Sequence, residues 1–101
     1  MQTFARIDIP IEALEELCRR YHVRELALFG SVLRDDFRDD SDIDILVEYE
    51  PDAGVGLYEH FDLGRALEDL LGRSVDLVPK NGLRPLLRDS VLTTSAVIYA
   101  A

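Results

Sequence analysis

The stretch Phe29-Gly30-Ser31-Val32-Leu33-Arg34-Asp35-Asp36-Phe37-Arg38-Asp39-Asp40-Ser41-Asp42-Ile43-Asp44-Ile45-Leu46-Val47 decides how this chain reads. Its second half, from Asp42 to Val47, alternates acid and aliphatic before running apolar. Successive side chains of a strand point to opposite faces. Asp42 and Asp44 therefore share one face, while Ile43 and Ile45 turn toward a core. Two carboxylates held that close repel, which raises one pKa or calls for a bound cation. Mg²⁺ suits such a pair, because it prefers carboxylate oxygen and keeps positions for water and phosphate.

Upstream, residues 25–29 form a short apolar run stopped by Gly30, which reads as a buried strand. Gly30 permits a tight turn and close approach of the backbone to a phosphate. Residues 31–34 are expected to form a short helical turn. The amides of Ser31, Val32 and Leu33 would open it toward an anion, and the Ser31 hydroxyl would add a hydrogen bond. A third acid, Asp76, sits in Ser74-Val75-Asp76-Leu77-Val78 with apolar neighbours. An acid in an apolar strand is costly without a partner. If this strand lies beside the one carrying Asp42 and Asp44, three carboxylates converge. Three carboxylates can hold two cations about 3.5–4 Å apart, the arrangement that clamps both oxygens of a phosphoryl displacement.

Further outward, Ile11, Leu14, Leu17, Cys18 and Tyr21 predict one apolar stripe on a first helix, with Pro10 in its first turn. Leu63, Ala66, Leu67, Leu70 and Leu71 predict another helix, stopped by Gly72. Strands are expected over residues 43–49, 74–78 and 96–99. A last helix is expected from near Leu83 to about Leu92, with Pro85 in its first turn. The order α, β, short α, β, α, β, α, β points to an α/β (α+β) fold, a small mixed sheet with helices packed on it.

The 101 residues fit one domain, 1–101, and 48% of them are hydrophobic, so disorder is not expected. No apolar run reaches the length of a membrane span, and residues 1–10 lack the layout of a signal peptide. On these features a cytoplasmic location is expected. Cys18 is the only cysteine, which excludes an internal disulfide and a multi-thiolate zinc site; a buried structural thiol is expected. The net charge of −9 argues against direct nucleic-acid binding. It also implies that a nucleotide would be handled with metal ions.

Taken together, the strand, Gly30-Ser31, the intervening loop, Asp42-Ile43-Asp44 and the later Asp76 resemble the pattern of the polymerase-beta-type nucleotidyltransferase superfamily. Within it, the chain is similar to the minimal nucleotidyltransferase (MNT) proteins over nearly its whole length. The resemblance implies a metal-dependent enzyme with two Mg²⁺ ions and ATP as substrate. It further implies an antitoxin that transfers AMP to a tyrosine hydroxyl of a HEPN-domain toxin partner. Carried over by residue, Gly30 and Ser31 would hold the triphosphate, and Asp42 and Asp44 the metals. Asp76 would complete the second metal site and help activate the hydroxyl. Arg34 matches a commonly basic position and would touch phosphate or anchor the loop. Asp35 stands where the family often has Gly.

Plainer readings exist for several of these residues. Asp35, Asp36, Asp39 and Asp40 read as a solvated acidic loop. A calcium loop at Asp40 to Asp44 fails, because Ile45 occupies its Gly position and Pro51 its Glu position. Asp76 could pair with Arg73, Ser31 could be an N-cap, and Arg34 could pair with a nearby Asp. His22 and His60 read as isolated, Lys80 as exposed, and Tyr21, Tyr49, Tyr58 and Tyr99 as core or edge residues. Leu83, Leu86, Leu87 and Val91 read as core packing before a docking face. Two other functions stay open: a non-catalytic antitoxin that binds its toxin by contact alone, and a small-molecule nucleotidyltransferase. The second would need a dimer to supply an acceptor site.

Overall fold

The computed structural model describes residues 2–4, 7–34, 37–38, 40–83 and 85–101. Its elements are β1 (Gln2–Phe4), β2 (Ile7–Ile9), α1 (Ile11–Arg20), β3 (Val23–Phe29), β4 (Ile43–Tyr49), α2 (Leu57–Leu71), β5 (Val75–Pro79), α3 (Pro85–Thr94) and β6 (Ala96–Ala100). Short 3-10 turns cover Gly30–Leu33 and Lys80–Gly82. β1 and β2 form an antiparallel pair of their own. The main sheet has the order β5-β4-β3-β6, parallel between β4 and β5 and antiparallel elsewhere. The expected mixed sheet is present.

The period of two along β4 builds the core. Ile43, Ile45 and Val47 are buried and join Leu26 and Leu28 of β3 on one face. Leu14 and Cys18 of α1, with Leu63 and Leu67 of α2, close over that face. The stripe predicted for α1 is therefore real, and Arg19 and Arg20 occupy its last turn. Burial pushes the Cys18 thiol up to about 12, which makes it the inert structural group expected. The Tyr21 hydroxyl donates to the Asp62 carboxylate and ties α1 to α2. No helix among the described residues is long and apolar enough to cross a membrane.

α2 begins six residues before its apolar stripe does. Glu59 accepts from the Gly56 amide at 3.0 Å, which satisfies a free donor at the helix start. The added turn carries Leu57, Tyr58 and Phe61 outward rather than inward. Tyr58 is 75% exposed, so its expected packing is corrected. Leu86 of α3 is likewise 96% exposed and not a core residue. The expected packing of the Leu87 side chain falls outside what is described.

The opposite face of the sheet is lightly covered. Ala27 and Leu46 are buried there, beside a depression of about 210 Å³ that Leu92 of α3 also lines. Lys80 is not simply exposed: its Nζ lies 3.4 Å from Glu25 and 3.9 Å from Glu48, linking the edge of β5 to β4 and β3.

Just beyond α1, His22 has φ 61°, in the left-handed region, while its carbonyl accepts from the Glu50 amide at 2.8 Å. An L-residue there costs roughly 1 kcal/mol or more. His22→Gly is expected to stabilise the fold by about 0.5–1 kcal/mol, after part of the gain is offset by unfolded-state entropy. A urea titration checks this; a lower midpoint would reject it.

Candidate active site

β3 delivers the chain to Gly30, where φ is 74° and the direction reverses into the short turn. Val32 anchors that turn in the core. Phe29 is the register partner of Asp44 on the antiparallel neighbour, so Gly30 lies directly against the Asp44 side chain. A Cβ on Gly30 would stand 2.2 Å from Asp44 Oδ2. Glycine is thus required here by space as well as by backbone angle.

Asp44 is also the register partner of Asp76 across the parallel β4–β5 ladder. Partners in register on adjacent strands share a face, so the two carboxylates stand side by side on the lightly covered side. Asp42 lies one residue before β4 and is exposed. The Asp44 carboxyl is held above its ordinary range. Burial contributes most, followed by the Asp76 charge, with Asp42 adding to it. The Ser31 amide, which donates to this carboxylate, and the Arg34 guanidinium pull in the other direction. Asp42, Asp76, Ser31 and Arg34 therefore all act on Asp44.

The Ser31 amide is accordingly engaged by Asp44 and not open to solvent anions. Gly30 opens the turn and Phe29 caps it, so the N-cap reading of Ser31 does not hold. Asp40 is exposed, as a solvated loop residue should be. The expectations for Asp35, Asp36 and Asp39 fall outside the described residues.

Arg73 does not pair with Asp76. Its guanidinium donates to the carbonyls of Arg38 and Ser41, the latter at 2.9 Å, and lies 4.4 Å from the Phe37 ring centroid. The Ser41 amide and hydroxyl close a turn back onto Arg38. The residues leading into Asp42 are thereby fixed by an arginine from the turn before β5. This role is not legible in the sequence, because a basic residue in a turn does not say which carbonyls it will reach.

Among the described residues no three His, Cys, Asp or Glu side chains form a ready-made metal cage. The donors nevertheless suit Mg²⁺. All are hard carboxylate oxygens, and the ionisation of Asp44 is opposed by two like charges. Mg²⁺ is ordinarily held by one or two carboxylates together with substrate phosphates, not by an all-protein cage.

A family model for the nucleotidyltransferase domain matches residues 11–97. The chain belongs to this family. Protein adenylyltransferase MntA of Thermococcus cleftensis is 42% identical over 78 residues, which is 77% of each chain. A solved structure described as a candidate minimal nucleotidyltransferase aligns with a TM-score of 0.71 at 45% identity. It covers 84% of this chain and 85% of that one. Two toxin–antitoxin structures share the fold. One, solved with AMP-PNP, is 23% identical over 92% of this chain and 75% of that one, with a TM-score of 0.71. The other is a tri-AMPylated Shewanella oneidensis HEPN toxin in complex with MNT antitoxin. It is 24% identical over 90% of this chain and 70% of that one, with a TM-score of 0.63. The family is one of nucleotidyl-transferring enzymes, of the minimal type, and the Gly30-Ser31 turn and the three acids lie inside the matched region.

Proposed function

We propose that this chain, read as one domain over residues 1–101, is a cytoplasmic MNT-type antitoxin that transfers AMP from ATP to a tyrosine hydroxyl of a HEPN-domain toxin. The observation that carries the reading is the register pairing of Asp44 with Asp76 directly beside the Gly30-Ser31 turn. The name of the Thermococcus cleftensis relative supports a protein acceptor, and the HEPN complex of the same fold supports the partner.

In this reading Gly30 lets the triphosphate approach the backbone, and the Ser31 hydroxyl and Arg34 hold its oxygens. Asp42, Asp44 and Asp76 would hold two Mg²⁺ ions, whose chemistry is to neutralise phosphate charge and polarise the reacting oxygens. Asp76, exposed on the edge strand, takes the proton of the acceptor hydroxyl. The acceptor oxygen bonds to the α-phosphorus as the bond to the bridging oxygen breaks, and pyrophosphate leaves. Positioning and charge complementarity account for most of the catalysis in such transfers. The net charge of −9 favours a metal–nucleotide complex over bare nucleic acid.

The test is incubation with α-labelled ATP, Mg²⁺ and the HEPN partner. Label is expected on a tyrosine of the partner, with none when Mg²⁺ is chelated. An intact complex that carries no label would overturn the reading.

A further inference from the structure

Among the described residues, β5 ends the sheet on one side and pairs only with β4. Along such a strand the backbone groups of alternate residues point away from the sheet. On β5 the outward residues include Val75 and Leu77, the two neighbours of Asp76. One backbone group of each is bonded to a side chain. The Val75 amide donates to Glu68 Oε2 at 3.0 Å, and the Leu77 carbonyl lies 3.0 Å from His60 Nε2. Both side chains come from α2. They stand eight residues apart, two turns of helix, and α2 runs antiparallel to β5, so each reaches a different side of Asp76.

The geometry also orients the His60 ring. A carbonyl only accepts, so Nε2 carries the proton toward Leu77. In the neutral imidazole Nδ1 is then an acceptor, and it faces the Tyr49 hydroxyl at 2.8 Å. Burial pushes the Tyr49 hydroxyl up to about 12, so it remains a donor. His60 therefore joins β4, α2 and β5 in one chain of hydrogen bonds.

We infer that His60 and Glu68 are positioning residues for Asp76. They supply from α2 the hydrogen bonds that a further strand would supply, and so hold the exposed carboxylate opposite Asp44. Protecting a strand edge needs no such pairing, because edges are commonly blunted by charge or by proline alone. Here the two bonded groups flank the one acid on β5. The inference rests on the proposed role of Asp76.

The experiment compares Glu68→Ala, Glu68→Gln, His60→Leu, His60→Gln and Asp76→Asn. It has two readouts: Mn²⁺ affinity of the nucleotide-free protein by calorimetry, and kcat and KM for ATP with the HEPN partner. All are measured well below each variant's Tm. Partners that orient metal ligands are typically worth 10–100-fold in metal affinity or activity. Glu68→Ala and His60→Leu are expected to weaken Mn²⁺ binding and lower kcat by about tenfold, with KM for ATP changed by less than about threefold. Glu68→Gln keeps an acceptor for Val75, and His60→Gln keeps a donor for Leu77. Both are expected to restore at least half of the loss. If Glu68→Ala and His60→Leu leave Mn²⁺ affinity and kcat unchanged while Asp76→Asn abolishes transfer, the positioning role is rejected and the role of Asp76 stands. If the Gln variants are as impaired as the truncations, the positioning role is likewise rejected. If Asp76→Asn itself leaves both readouts intact, the reading of the site falls with it.

Discussion

Asp44→Asn is expected to cut nucleotidyl transfer by about a thousandfold or more and, at neutral pH, to raise the Tm of the metal-free protein. The two effects have one origin. The Asp44 carboxyl is partly buried and stands beside Asp76 and Asp42, and its pKa is raised for those reasons. The folded chain therefore holds this proton more tightly than the unfolded chain does. Its contribution to stability is complete below the unfolded carboxylate range, near pH 4, and is lost as pH rises through the folded value. At pH 7 the ionised group strains the fold, and asparagine removes the charge while keeping an oxygen for the Ser31 amide. Melting curves across pH should show the advantage of the variant at pH 7 shrinking toward zero near pH 4. Mg²⁺ should stabilise the parent more than the variant. Transfer falls because several kcal/mol of charge stabilisation at the phosphates depend on this ligand, and each 1.4 kcal/mol is about tenfold. Transfer within tenfold of the parent would remove Asp44 from the chemistry. A variant less stable than the parent at pH 7 would show that crowding is not its main burden.

Gly30→Ala is expected to lower Tm by about 10 °C or more and activity by about a hundredfold. The backbone at φ 74° costs any L-residue roughly 1–2 kcal/mol. The added methyl would also stand 2.2 Å from Asp44 Oδ2, closer than any stable contact, so the carboxylate must swing away and give up the Ser31 amide. A total of about 2–3 kcal/mol corresponds to such a shift in a domain of this size. Gly72→Ala is the matched control. Gly72 ends α2 at φ 70°, but apart from its chain neighbours and nearby helix backbone no described residue lies within 4 Å of its Cβ position. It should lose the backbone part of the stability and none of the activity. Equal loss of activity in the two variants would show that contact with Asp44 is not what Gly30 serves.

The local features of this site were legible in the sequence. Asp42-Ile43-Asp44-Ile45 announces its own faces because a strand has period two, and Gly30-Ser31 marks the end of the strand before it. That Asp76 lies next to Asp44 was only conditional, since it depends on a parallel pairing across a whole helix that no local pattern encodes. The roles of Arg73, His60 and Glu68 were not legible. Each reaches backbone groups between 7 and 35 positions away, and a polar side chain does not advertise its partner. The N-terminal pair went unread because three-residue strands are too short to establish a period. The first turn of α2 was missed because Leu57, Tyr58 and Phe61 face outward and break the stripe that reveals the rest of the helix.

The alternation along β4 also limits how this chain can drift. Along its seven residues Ile43, Ile45 and Val47 go to one layer and Asp44, Leu46 and Glu48 to the other, with register partners on both flanking strands. Deleting or inserting one residue would exchange the two sets at once, sending carboxylates inward and isoleucines outward. Changes in length among relatives should therefore gather in the connections, while β4 admits only replacements, one position at a time.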